Sequence, residues 1–462
     1  MGIFRVSGNK VGNTIFLDIF PFSTSGLNRS SGYHILSIRR QFIKSFIGVG
    51  AMRLLAIPLG LGTSIVLARF LGIDQFGQYS FVMALIPLLA LPASGGLQNL
   101  LTREVAAFSQ SNSWALYKGV LNSAHFWVIA LSLLIVFSYL LLTFAGKVVP
   151  RDGDWGLVQI GLVMLPLIGL NAVRNGAIKG LGFPAIAELP SSLIQPMVAL
   201  IGLSFTAFYL GLNATSAISI QVISYVVTFL IASTIFYKLQ PKASEGVNPK
   251  YQLRAWGGSL APFTLLAFVG AFNSQLGIVV LGLISTNDQV AALRVAERGA
   301  QFVTLSLTIV NVIISPHIVK AYKGGDIKFL QRLSRNSARA AFLVALPIGV
   351  VLLLFGDKLI GLLFGNEYAE AAYFPLIVLV IGQLFNSFMG SVGFLLAMTG
   401  NEKQSLKGQI MSVIVSLALC LILIPKHGAI GAAIAVSCGI VVWNLVLGYL
   451  VHSKVKIRPS AL

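Results

Sequence analysis

The stretch QPKASEGVNPKYQLRAW, Gln240–Trp256, divides this chain in two. Pro241, Gly246, Asn248 and Pro249 are turn formers, and Lys242, Lys250 and Arg254 add positive charge. Apolar stretches lie on both sides of it. A bilayer crossing needs about 20 apolar residues at a rise of about 1.5 Å each. Six candidates precede the stretch: Phe46–Leu71, Tyr79–Leu101, Gly119–Ala145, Leu157–Leu181, Ala185–Leu210 and Ala214–Leu239. Six follow: Gly257–Ile284, Val290–Val319, Arg339–Phe355, Ala372–Met398, Leu406–Pro425 and Ala429–Val451. Six is even, so both halves enter the membrane in the same sense, as in parallel-repeat transporters with a site near the midplane. The expected fold is an all-α polytopic membrane protein, about twelve transmembrane helices in two parallel six-helix lobes around a central cavity.

Charge orients this array. Taken at the nearer membrane face, one set of alternate connections with both termini holds 25 of the 33 Lys and Arg; the other set holds 6. Arg53 and Arg69 fall inside the first span. Basic residues resist translocation, so the richer set, both termini and 320–338 are expected in the cytoplasm, with 146–156 outside. Apolar residues make up 56% of the 462 and charged residues 10%, against about 25% charged in soluble domains. A net charge of +19 suggests nucleic acid in other contexts. Here it sits in short connections between spans, where anionic lipid headgroups are the expected partner and nucleic acid is not.

The expected organisation is a mobile basic cytoplasmic arm over 1–45, a six-helix lobe over 46–239, a cytoplasmic linker over 240–256, a second lobe over 257–451 and a cytoplasmic tail over 452–462. The arm is Ser/Gly/Asn-rich and carries Arg5, Lys10, Arg29, Arg39, Arg40 and Lys44; an interfacial helix near Ile15–Phe20 is its alternative. Cys420 and Cys438 read as small buried apolar residues. No metal-ligand spacing, cofactor motif or phosphate-binding Gly-x-x-x-x-Gly-Lys-Ser/Thr pattern occurs.

Polar groups at bilayer depth mark candidate sites, because an ionisable one costs about 2.5–3.5 kcal/mol to insert. Arg53 lies seven residues into the first span and is expected in a cavity, with snorkelling as the bland alternative. Arg69, near that span's other end, is expected to bond the last carbonyls of the helix. Arg294, Arg298, Gln301, Thr304, Thr308, Asn311 and Ser315 recur every three or four residues along the eighth span, hence on one face, with Glu297 at its edge. Such a stripe needs a wet or anionic neighbour, or else a hydrogen-bonded helix seam. Further cavity candidates are Asn99 and Arg103 at the inner end of the second span, Arg174 in the fourth, and Asn273 and Gln275 in the seventh. Glu188 is expected to stabilise the first turn of the fifth span. Arginine outnumbers carboxylate at these positions, which favours an anionic, phosphate-bearing ligand bound by guanidinium forks.

Four stretches carry a family resemblance. Ala68-Arg-Phe-Leu-Gly-Ile-Asp-Gln-Phe-Gly-Gln-Tyr79 resembles the Ala-Arg-x-Leu-Gly-x-x-x-Phe-Gly-x-Tyr stretch of the O-antigen-type polysaccharide biosynthesis flippases, in the multidrug/oligosaccharidyl-lipid/polysaccharide exporter superfamily. Leu363-Phe-Gly-Asn-Glu-Tyr368, Val312-Ile-Ile-Ser-Pro316 and Pro425-Lys-His-Gly-Ala-Ile-Gly-Ala-Ala433 are similar to three further stretches of that family. The resemblance implies a flippase that moves an undecaprenyl-pyrophosphate-linked oligosaccharide, an O-antigen or other surface polysaccharide unit, across the bacterial inner membrane by alternating access. It implies lipid-linked oligosaccharide, membrane lipids and polysaccharide assembly proteins as partners, and no catalysis. Related flippases hold pyrophosphate with cavity cations, and Arg53, Arg294 and Arg298 are matching residue types. One departure stands out: Ser274-Gln-Leu-Gly277 replaces a stretch that often carries Asp in the family, so carboxylate ion coupling from the seventh span is not expected. A multidrug exporter of the same superfamily is the alternative, and it would want buried carboxylates, which are scarce. A membrane polymerase or ligase would want catalysis in a sizeable outward loop, and the longest expected ones, Gly146–Gly156 and Gly356–Ala371, offer few catalytic residues.

Overall fold

The computed structural model describes residues 29–146 and 154–461. The described residues are helical or irregular, with no strand among them. In chain order the helices are α1 (Arg29–Leu89), α2 (Leu91–Ser94), α3 (Leu97–Gln110), α4 (Trp114–Phe144), α5 (Asp154–Leu162), α6 (Met164–Gly180), α7 (Pro184–Leu189) and α8 (Gln195–Tyr209). A π-turn at Pro190–Ile194 joins the last two. Then follow α9 (Ala214–Leu239), α10 (Leu253–Ile284), α11 (Asn287–Lys323), α12 (Ile327–Leu363), α13 (Asn366–Met389), α14 (Val392–Met398) and α15 (Glu402–Val455). Helices up to α9 are called the first lobe and those from α10 the second.

Glycine and proline set the breaks. α1 changes direction at Gly72, φ 74°, and α15 at Gly428, φ 51°. Both angles favour a residue without Cβ. Gly96, φ 76°, separates α2 from α3 within the expected second span. Asn213 caps α9 by accepting from the Ser216 amide, while the Ser216 hydroxyl accepts from the Asn213 amide.

Among the described residues nine helical runs are long and apolar enough to cross a membrane. Two of them, Gly48–Leu89 and Lys403–Val455, contain the glycine breaks. α11, with Arg294, Glu297 and Arg298, is outside the nine. Several expected boundaries move. α12 runs well past the expected Arg339–Phe355, so much of 320–338 and 356–371 is helix rather than connection. Asp326 explains one new start: its carboxylate accepts from the Phe329 amide and caps α12. Residues 29–45, expected in the arm, are helical. The Ile15–Phe20 alternative and most of 146–156 lie outside the described residues. The described residues from 48 onward form one compact unit, and 29–47 lie outside it.

Within this unit, one end of the bundle carries the tight turns at Gly72, Gly211, Gly365 and Gly428; we call it the short-turn end. The other, the linker end, carries Gln240–Gln252, the turn at Gly324–Gly325 and the C-terminal tail. The buried core divides along this axis. Toward the short-turn end a single cluster joins both lobes, with Leu67, Phe76 and Leu203 from one and Leu293, Tyr368 and Leu376 from the other. Toward the linker end there are two clusters. One holds Leu101, Tyr117, Val173 and Phe236 of the first lobe, with Trp256 and Leu260 at the start of α10. The other holds Ile318, Leu330, Leu395 and Leu447 of the second lobe.

Candidate functional site

Polar contacts reinforce the shared core at the short-turn end. Arg69 Nε donates to Leu363 O at 2.8 Å, and its Nη2 donates to Leu362 O. Arg69 was expected to bond the end of its own helix; its acceptors are the last carbonyls of α12, in the other lobe. Tyr368 Oη donates to Ala68 O at 3.1 Å, and its ring meets Phe76 edge-on at 6.0 Å. Asn287 Nδ2 donates to Asp74 Oδ1 at 2.9 Å. Backbones approach closely here: a Cβ on Gly77 would collide with the Asn287 carbonyl, and one on Gly282 with the Phe81 ring. At the centre of this seam Leu67, Phe76 and Tyr368 are fully buried.

Directly beneath it lies a cavity of about 340 Å³ bounded by both lobes. α1 supplies Ala56, Gly60, Thr63, Ser64 and Leu67, spaced three or four apart on one face. The π-turn and α8 supply Ser191, Ser192 and Gln195, and α9 supplies Gln221. From the other lobe come Gln275 of α10 and Arg294 and Arg298 of α11. Arg294 Nη1 pairs with Glu297 Oε2 at 3.1 Å, and Nη2 donates across the lobes to Ser80 O at 3.3 Å. Arg298 Nη1 donates to Gln301 Oε1 at 3.2 Å. That nitrogen points toward α1: a Cβ placed on Gly60 would stand 3.8 Å from it. Arg298 Nε and Gln275 Oε1 are buried without a hydrogen-bond partner. A buried unpaired polar atom costs about 1–3 kcal/mol, so these two groups are not there to stabilise the fold. Opposite the arginines, Gln221 Nε2 donates to Tyr79 Oη at 2.7 Å. The cavity lining thus holds two guanidiniums and no carboxylate, with Glu297 paired to Arg294 outside it, which suits an anion.

One turn closer to the linker end, Arg53 continues the α1 face. Its Nη2 lies 3.6 Å from Glu188 Oε1, with 64% of its side chain exposed. Lys179 Nζ reaches the same carboxylate oxygen at 2.6 Å, and Ser192 Oγ donates to Glu188 Oε2 at 3.2 Å. Glu188 therefore ties α1, α6 and the π-turn together. It does not serve the first turn of α7, which holds no acid; nearby cations outcompete the helix dipole, worth about 0.3–1 kcal/mol.

The remaining sequence candidates scatter. Gln301 is exposed and occupied by Arg298. Thr308 donates to Thr304 O on its own helix, and Asn311 Oδ1 is buried without a partner. These three lie further along α11, outside the cavity lining. Arg174 stays within its lobe, donating to Ser233 Oγ at 3.1 Å and stacking over Phe236 at 4.9 Å. Arg103 pairs with Glu104 at 2.6 Å and lies 5.5 Å over Phe263. Asn99 is exposed and Asn273 half-buried; neither lines the cavity. Sequence reasoning missed Tyr79, Gln195, Gln221 and the serines of the π-turn. Pro190 and Pro196, flanking those serines, were the available signal.

Comparison with known proteins places this geometry in context. A family model described as "Polysaccharide biosynthesis protein" matches residues 42–322. A Haloferax volcanii protein named as the low-salt glycan biosynthesis flippase Agl15 is 23% identical over 85% of this chain and 79% of its own length. A Shigella flexneri protein named for O-antigen transport is 24% identical over 90% of this chain and 98% of its own. Among solved structures, an inward-facing multidrug resistance MATE family transporter of the MOP superfamily superposes with TM-score 0.72 at 16% identity, over 88% of this chain and 98% of that one. The last likeness concerns the fold alone, an all-helical bundle of two lobes.

Proposed function

The chain belongs to the polysaccharide biosynthesis protein family, and from that membership we propose that it is a flippase for an undecaprenyl-pyrophosphate-linked oligosaccharide. The relatives with curated names are called a flippase and a transporter, for glycan biosynthesis and for O-antigen. The substrate carries its charge on the pyrophosphate and its bulk on the sugars. The observation that supports this choice is the pairing of Arg294 and Arg298 on one lobe with Ser80, Tyr79 and Gln221 on the other, around one cavity. Planar guanidiniums bind phosphate oxygens in pairs. The amide and hydroxyls opposite suit a first sugar. About 340 Å³ holds such a headgroup; the rest of the glycan would project toward the linker end, beyond the large core that both lobes share.

In this reading twelve spans cross the inner membrane, with both termini and the linker end cytoplasmic, as the distribution of Lys and Arg favours. The lobes, 46–239 and 257–451, receive the headgroup from the cytoplasm while the short-turn end is closed. Arg53, Lys179 and Glu188 stand at the mouth, and Arg294 and Arg298 at the inner end of the path. Rocking of the lobes then closes the mouth and opens the short-turn end. Polysaccharide assembly proteins are expected to consume the exported unit.

The test is Arg298→Ala. Arg298 has no carboxylate of its own within ion-pair distance among the described residues, so its loss leaves no acid stranded. Surface glycan should fall at least about tenfold at near-normal protein abundance, as expected for a charge-assisted contact worth about 1.5–3 kcal/mol. Arg298→Lys should recover part of it, since charge is kept and the fork lost. Wild-type export from Arg298→Ala at normal abundance would remove the anion site.

A further inference from the structure

A second cavity, about 1150 Å³, opens on the flank of the bundle where α3, α4 and α10 meet, and shares no lining residue with the first. Its walls are apolar, with Leu100, Val120 and Trp127 from one lobe and Leu260, Leu265 and Phe268 from the other. Thr264 Oγ1 donates to Gly95 O at 2.8 Å behind it, so the groove runs over the seam between lobes. It reaches from Phe268, deep in α10, to Tyr251 and Asn122 at the linker end.

The mouth at that end is basic. Lys118 lies one helical turn before Asn122 on α4. Arg254 starts the face of α10 that continues through Gly257, Ala261 and Phe268. Lys250 directly precedes Tyr251, held there by its amide, which donates to Ala115 O at 2.9 Å. Among the described residues none of these three makes an ion pair. Chain placement thus sets three cations, two on helices and one on a loop, beside residues that line the linker end of an apolar slot.

We propose that this groove is a binding site for an anionic phospholipid, one acyl chain lying along α10 and the phosphate held by Lys118, Lys250 and Arg254. The slot demands a hydrocarbon chain, and the mouth demands negative charge at one end of it. Juxtamembrane Lys and Arg clusters attract anionic lipid with about 1 kcal/mol per residue. The substrate's own lipid is the poorer occupant, because its pyrophosphate belongs at Arg294 and Arg298, in the cavity that this groove does not meet. The bound chain touches both lobes, so it acts as a wedge on their seam.

The experiment uses the full purified chain in neutral detergent with phosphatidylglycerol bearing a photoreactive group on one chain. Labelling should map to 120–127 and 257–268. Unlabelled phosphatidylglycerol should compete and phosphatidylcholine should not. The triple variant Lys118→Gln, Lys250→Gln, Arg254→Gln should lower labelling at least about tenfold. Gly257→Phe gives an independent arm: a Cβ there meets nothing within 4 Å, so the ring fills the groove without straining the helix. It should abolish labelling while the melting temperature stays near wild type. Labelling that ignores the headgroup, or that survives Gly257→Phe, overturns the proposal. So does displacement by undecaprenyl pyrophosphate at concentrations where phosphatidylglycerol fails, which would assign the groove to the transported lipid.

Discussion

The two ends of the bundle solve the problem of joining two lobes differently. At the short-turn end a single core runs through both, with Leu67 and Phe76 packed against Tyr368 and Leu376, and Arg69, Tyr368 and Asn287 bridge the lobes. At the linker end the core is split in two, one cluster built on the first lobe and joined by Trp256 and Leu260 of α10, the other within the second lobe, and the remaining contacts between lobes run down one flank, from α3 and α4 to α10. Arg53 and Gln301 are exposed on the opposite flank. The difference teaches where the joint is. Apolar burial sums over a continuous core at about 25 cal/mol per Å², whereas at the linker end Trp256 and Leu260 of α10 are the buried apolar residues that tie a core to both lobes.

The strongest way to break the contrast is Gly77→Val. Overpacking costs about 1–3 kcal/mol, and here backbone meets backbone at Asn287, so about 3 kcal/mol should load onto the seam. A cysteine at Ser80 should then react with a membrane-impermeant thiol reagent at least about 100-fold faster from the short-turn side. Unchanged reactivity would mean that the seam yields elsewhere. Arg69→Ala comes next. It removes two charge-assisted bonds, each about 1.5–3 kcal/mol when well formed; discounted for exposure, a loss of about 2 kcal/mol should raise the same reactivity about 30-fold.

Glu188→Gln probes the other end. Lys179, with 16% of its side chain exposed, loses its partner, and breaking a buried pair costs about 3–5 kcal/mol. With Arg53 solvated and Lys179 at the edge, about 2 kcal/mol is expected, seen as a lower melting temperature with no change in reactivity at Ser80. A change at Ser80 would couple the two ends. The smallest effect is expected for Asp74→Ala, whose exposed contact with Asn287 should be worth about 0.5 kcal/mol. A loss above about 2 kcal/mol would mean that this contact belongs to a larger network.

Much of this architecture is legible in the chain. Hydrocarbon thickness forces apolar runs of fixed length, so the spans show. The stripe from Arg294 to Asn311 shows because a helix repeats every three or four residues. What hides is any partner identified by space alone. Arg69 bonds carbonyls 293 and 294 residues away, and carbonyls leave no mark in a sequence. Gln221 and Tyr79 are 142 residues apart. The stripe also told less than its period suggested: Thr304 and Thr308 return their hydroxyls to backbone carbonyls on α11 itself, so part of it is self-satisfied. Glu188 was closer to hand, nine residues from Lys179 across the turn at Gly182, but a local rule for helix starts obscured the pair.

The shared core also carries a thermal consequence. Parting the lobes at the short-turn end would bring Leu67, Phe76 and Tyr368 into contact with water, and exposed apolar surface raises heat capacity by about 0.45 cal/mol/K per Å². Parting them at the linker end would expose less, chiefly what Trp256 and Leu260 of α10 bury against the first lobe. The two opening steps of one cycle therefore differ in how their free energies bend with temperature. Cooling weakens apolar association, so a cell that grows cold finds the short-turn seam easier to open, at the same time as its membrane stiffens around the lobes that must move.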